Sequence, residues 1–135
     1  MDETLLRKPI AEGKWSIIEI VGHFYPWDEF VLQQRIPFLF TGESLPKAPS
    51  ADELNSRSSF IARRESIENT LNKCIAVRQD FINQLLQVSE EKWLSPIQIG
   101  QSILTFYEYL KGLMEHDLHH INQIKSTINT GDYSS

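Results

Sequence analysis

Apolar residues along this chain recur at three- and four-residue steps, the period of helices that bury one face. The first run begins at Ser16 and takes in Ile17, Ile20, Val21, Phe24, Trp27, Val31 and Leu32. The second restarts at Ser50 and reaches about Val88 through Phe60, Ile61, Ile67, Leu71, Cys74, Ile75, Phe81, Ile82 and Leu85. The third opens between Ile97 and Ser102 and ends near Asn129, with Ile103, Phe106, Leu110, Leu113, His120, Ile124 and Ile128 on its inner face. No alternating run predicts a strand, and there is no internal repeat or low-complexity tract. Ser16 with Glu19, and Ser50 with Glu53, have the spacing of capping boxes that start helices. Pro26 removes a backbone donor inside the first run and predicts a kink or local unwinding close to His23. A lead over 1–14, a Gly/Ser/Pro-rich loop over 41–50 and a flexible tail over 130–135 complete one domain spanning 1–135. Three long amphipathic helices and no strands predict an all-α bundle.

The chain has 135 residues, 41% of them hydrophobic and 23% charged, with a net charge of −5. That suffices for one sizeable core. An acidic chain without a Lys/Arg run is poorly suited to a phosphate backbone, so no nucleic-acid partner is expected. No apolar stretch approaches the ~20 residues of a membrane span, and the first residues lack the basic and apolar regions of a signal peptide. Cys74 is the single cysteine, which rules out an intrachain disulfide; the expected location is the cytoplasm. Within an apolar stripe, Cys74 reads as an inert buried thiol.

The candidate chemistry lies in the histidines. There are four, and three fall within His116–His120, the fourth being His23. His116 and His120 are four residues apart, so on a helix they leave one face with Cβ atoms about 6 Å apart, close enough to share one ion. Whole-turn steps from Leu113 set both on or beside the buried face, while His119 points elsewhere. His23 sits among Ile20, Phe24 and Trp27 on the apolar face of another helix. A lone core histidine is ordinary. Three inward-facing imidazoles without a basic neighbour are hard to rationalise without a divalent ion. Glu19, one turn before His23, can orient an imidazole or act as a base, or serve only as the capping partner of Ser16. Arg64 and Arg78 interrupt the second stripe. Either they reach out from its edge, or one turns a guanidinium into a polar pocket as a clamp for substrate. Tyr25 and Asp28 are candidates for the pocket mouth.

The segment Trp15-Ser16-Ile17-Ile18-Glu19-Ile20-Val21-Gly22-His23, followed by Trp27-Asp28, resembles the first signature of the DinB/YfiT-like superfamily. His116-Asp117-Leu118-His119-His120-Ile121-Asn122-Gln123-Ile124 resembles its second, and the block from Asp52 to Leu86, with Asn55 and Arg78, is similar to that family's middle part. The two signatures together are more specific than either alone. The resemblance implies an up-down four-helix bundle with a divalent metal (nickel, zinc or iron) held by His23, His116 and His120. It also implies a small-molecule substrate and, in several relatives, thiol S-transfer using bacillithiol, mycothiol or glutathione.

Three neutral imidazoles leave coordination positions open, as catalytic sites do. A thiol in such a position gives an S-transferase and a water gives a metal-dependent hydrolase; a non-catalytic metal- or ligand-binding bundle is the third reading. One departure from the family is the short stretch before Trp15, where a full helix is usual. Either the lead docks as a short helix, or a partner copy covers the gap, or the chain as given starts late. An apolar flank left open there favours a homodimer.

Overall fold

Ser16 starts the central helix by closing a capping box. Its Oγ accepts from the Glu19 N–H at 3.3 Å while the Glu19 carboxylate accepts from the Ser16 N–H at 3.2 Å, satisfying two otherwise unpaired donors of the first turn. In the computed structural model, which describes residues 2–42 and 45–130, eight elements follow in order. They are α1 (Glu3–Arg7), α2 (Ile17–Gln34), α3 (Ala51–Arg64), α4 (Ile67–Leu86), α5 (Glu90–Trp93), β1 (Pro96–Ile99), β2 (Ser102–Thr105) and α6 (Phe106–Thr130). α2, α3, α4 and α6 are the staves of an all-α, up-down four-helix bundle.

Cross-links give the directions. Trp27 Nε1 donates to Asn55 Oδ1 at 2.9 Å, and Arg63 meets Glu19 at 2.9 Å, so α3 runs opposite to α2. Cys74 donates to the Val21 carbonyl at 3.4 Å, and Arg78 meets Asp28, so α4 runs alongside α2. His120 lies by His23 while Leu110 shares a core cluster with Val31, so α6 runs opposite to α2. α2 is therefore the innermost stave. Residues Ser16 to Ile20 are buried without a break, and each fully buried Ile contributes about 2 kcal/mol of transfer free energy. Gly22 lets α3 and α4 approach this closely: a Cβ there would stand 3.0 Å from the Ala62 Cβ and 3.6 Å from the Thr70 Cγ2.

Three expectations need correction. The second run is two helices, not one. Glu65 adopts an extended ψ of 153°, and Ser66 caps a fresh start by accepting from the Asn69 N–H at 3.1 Å. Breaking there lets both halves pack on α2, which a single rod could not. Second, the stretch assigned to the start of the third helix is a hairpin, with Ile97 opposite Leu104 and Ile99 opposite Ser102. Gly100, at φ 61°, takes the left-handed position of a two-residue turn, which a side chain would resist. α6 begins only at Phe106, where Thr105 and Glu108 form a capping box. Third, α2 continues as one helix through Pro26 and does not unwind there.

Several expected core positions are open: Ile75 is 65% exposed and Ile103 73%, and Phe60, Ile61, Leu71 and Ile82 are exposed as well. The lead docks as a short helix. Leu5 is buried, and Arg7 donates to the carbonyls of Ala62, Arg63 and Glu65 at the end of α3. The expected loop over 41–50 has no helix or strand where it is described, at 41–42 and 45–50. The expected tail beyond Thr130 lies outside the described residues. Among those described, no helix is long and apolar enough to cross a membrane.

Candidate metal centre

α2 and α6 bring His23, His116 and His120 together. The His23 and His120 ring centroids are 4.6 Å apart, those of His116 and His120 4.7 Å, and those of His23 and His116 6.4 Å. His23 is 3% exposed, His120 is half-buried, and His116 is exposed at the rim, further out than the inward position expected from Leu113. Phe24 lies against His120, and the Trp15 ring sits 5.2 Å from His23. His119 is exposed, as its spacing predicts.

Two of the three imidazoles are held through one nitrogen. His23 Nδ1 is bonded to the Ile20 carbonyl, which can only accept, so Nδ1 carries the proton and Nε2 the lone pair. Among the described residues no buried side-chain nitrogen lacks a partner, and Nε2 has no hydrogen bond. It is therefore open to the cleft that His23 lines. His120 Nδ1 is 2.9 Å from Gln123 Oε1, one turn along α6. Outer partners of this kind fix the tautomer of ligating histidines. Burial pushes the His23 pKa down to about 4, with His120 and His116 adding to the effect against the Ile20 bond. A neutral imidazole is the form that binds metal. The donor set thus fits a divalent ion in its chemistry. In placement it is a loose cluster, and among the described residues no three His, Cys, Asp or Glu side chains form a ready coordination set.

Beside the histidines, Arg78 reaches from α4 to both neighbouring staves. Its Nε and Nη2 donate to Asp28 at 2.6 and 2.9 Å, and Nη2 also meets Asp117 at 2.9 Å. Burial raises the Asp28 pKa, and the Arg78 bonds pull it back. Of the two readings open for Arg78, the pocket-facing one matches this geometry. Arg64 instead stays at the surface, its guanidinium 3.4 Å from the centre of the Phe60 ring. Asp28 lines the cleft, whereas Tyr25 does not. The Tyr25 hydroxyl donates to Glu29 at 2.8 Å and its ring faces Lys73. Cys74 is half-buried, its pKa pushed up to about 11 by burial.

Glu19 faces the other side of α2. One carboxylate oxygen accepts from Ser16, and the other accepts from Ser59 and from Arg63. Its geometry is that of a cap and a tie to α3, and it does not line the cleft. Burial raises its pKa, but the Ser59, Ser16 and Arg63 bonds outweigh burial and bring it below 4.5. A carboxylate with a depressed folded pKa contributes stability that is present above its unfolded value and lost as pH falls through the folded one. Glu19→Gln is therefore expected to cost about 1–2 kcal/mol at pH 7, with the gap to wild type closing below pH 4.5. Urea unfolding at both pH values checks this. An equal gap at pH 3 would mean that lost packing, not charge, is responsible.

Sequence reasoning did not single out Asp117 and Gln123 as functional. Their signal was position: Asp117 flanks His116, and Gln123 follows His120 by one turn, as an imidazole's second partner often does.

The cleft between α2, α4 and α6 has a volume of about 820 Å³ and carries His23, His116 and the Asp28–Arg78–Asp117 group at one end, with His120 beside the two histidines. No curated protein is significantly similar in sequence. Among solved structures, the fold is similar to that of YfiT from Bacillus subtilis, described as a probable metal-dependent hydrolase with an unusual four-helix bundle topology. The TM-score is 0.74 at 16% identity, over 94% of this chain and 73% of that one. The sequence pattern of the DinB superfamily matches residues 1–124, from the docked lead through both histidine-bearing helices, and the chain belongs to that superfamily.

Proposed function

We propose that the protein is a divalent-metal-dependent enzyme whose ion, nickel, zinc or iron, would be held by His23, His116 and His120. The observation that carries this reading is the convergence of three imidazoles from two helices at one end of an open cleft. The innermost is kept neutral, with Nε2 unbonded. When bound, such an ion supplies a charge that acidifies a thiol or a water, yielding a nucleophile near neutral pH. The protein's own residues do the rest. Ile20 and Gln123 orient two imidazoles, and Arg78 ties α6 to α2 beside them.

Family resemblance favours thiol S-transfer, with a low-molecular-weight thiol as co-substrate. Hydrolysis is the second reading, favoured by the fold shared with YfiT. The test is metal analysis of the purified, reconstituted protein, followed by parallel assays of thiol consumption with an electrophile and of ester hydrolysis. Wild type that fails to retain one equivalent of any of the three metals sinks the proposal. Stoichiometric metal without turnover reduces it to a binding bundle. A homodimer is part of the same proposal, supported by the apolar stripe that α4 leaves uncovered at Leu71, Ile75, Ile82 and Leu86. Sedimentation giving a stable monomer at micromolar concentration defeats that part.

A further inference from the structure

The cleft beside the histidines is far larger than a metal and one water require, and its two ends differ in chemistry. At the polar end stand His23, His116, Asp28, Arg78 and Asp117. The inner stretch is walled by Val31, Phe81, Leu85, Leu110 and Leu113, and ends at Trp93. Val31, Phe81 and Leu110 also belong to the main hydrophobic core, with Leu85, Leu113 and Trp93 packed against it, so the far end is built from the core of the fold.

Each cation in the cleft already has a carboxylate partner. Arg78 is taken up by Asp28 and Asp117, and Lys111 at the rim pairs with Glu115 at 4.0 Å. Among the described lining residues two cations face three carboxylates, so before metal binds the cleft offers an anionic ligand no unpaired cation. The volume, about 820 Å³, is that of a small-molecule site, and mostly apolar walls with a few polar groups at one end are the usual form of one.

We propose that the cleft is the binding site for an uncharged amphiphile whose apolar chain lies along α2, α4 and α6, with its polar head at the histidines. From His23 to Val31 on α2, from Arg78 to Leu85 on α4 and from His116 to Leu110 on α6, the helical rise gives about 12, 10 and 9 Å respectively. A linear chain of roughly eight to ten carbons fills that span. The substrate class is thus an alkyl or arylalkyl compound with its reacting group at one terminus. Only the assignment of the head as the reacting end rests on the proposed function; binding of the chain does not need the metal.

The experiment titrates linear primary alcohols of four to twelve carbons into the full-length protein, with and without added zinc. Binding is read by calorimetry and by the fluorescence of Trp27 and Trp93, which line the cleft. Each added methylene is expected to tighten binding roughly fourfold, with a plateau near ten carbons. Leu113→Trp, which fills the inner stretch, is expected to move the plateau to shorter chains while leaving zinc stoichiometry unchanged; Leu85→Phe gives the same readout should the first variant not fold. Affinity independent of chain length, or a plateau that stays in place in the folded variants, overturns the proposal. Loss of alcohol binding as a dimer forms with rising protein concentration also overturns it, by assigning the cleft to a second copy. Failure of the metal reading looks different: no stoichiometric zinc, with the chain-length series intact.

Discussion

Replacing His23 by Ala is expected to lower divalent-metal affinity by at least about a hundredfold, since even partners one shell further out commonly cost 10–100-fold. His23 is the buried member of the cluster, held neutral and anchored through Nδ1, and it is the one imidazole that α2 contributes. His120→Ala should act similarly. Gln123→Ala, which frees the His120 ring, should cost about tenfold. His119→Ala is the control: its side chain is exposed, and the substitution should leave metal binding unchanged. A thermal readout follows by mass action. Metal at about a hundred times its dissociation constant adds ~2.7 kcal/mol to wild type, which raises Tm by roughly 10 °C for a chain of this size. The same addition should leave Tm of His23→Ala almost unmoved. An equal rise in both proteins, or a rise abolished by His119→Ala, would remove His23 from the site.

How much of this was legible beforehand depended on how local the signal was. Ser16 and Glu19 announced the start of α2 because a capping box is a matter of four adjacent residues. The His116/His120 pair was legible for the same reason, being a one-turn relation within one helix, and the share taken by His23 followed from its apolar neighbours. The α3–α4 corner was missed because the apolar stripe continues in phase across it. Ser66 and Asn69 carry a cap signal, but a serine inside a long helix is unremarkable until the packing onto α2 favours a break. The hairpin was missed for a different reason. Ile97 and Ile99 alternate with Gln98, and Gly100-Gln101 suits a two-residue turn, but each strand has only four residues and the helical pattern after Ser102 overlaps the second. Exposure of Ile75 and Ile103 was out of reach, because periodicity says which residues share a face but not whether anything covers it. The same limit applied to His116, whose distance from the core depends on how far α6 stands off from α2.

Arg78→Ala is expected to destabilise the protein by about 2–3 kcal/mol, below the 3–5 kcal/mol of a fully buried pair because the guanidinium is partly exposed. Arg78 holds Asp28 by two bonds and Asp117 by a third, so its removal leaves two carboxylates near one another without a cation. Arg78→Lys keeps the charge but cannot fork, and should recover only part of the loss. The pair Arg78→Ala and Asp28→Ala should be less than additive in urea unfolding, since each removes the same bonds. A second consequence separates a clamp from a simple stabiliser. Asp117 follows His116 directly, and Arg78 ties that turn of α6 to α2. With the tie cut, the His116/His120 pair loses its registration with His23. Metal affinity should then fall by about tenfold or more, the scale on which outer-shell partners act. It should do so under conditions where Arg78→Ala remains fully folded by circular dichroism. Glu19→Gln, on the far side of α2 and expected to cost about 1–2 kcal/mol, supplies the comparison. If both variants lose affinity to the same extent, Arg78 acts through stability alone. If only Arg78→Ala does, the guanidinium is a positioning residue that sets the spacing between the two helices that carry the histidines.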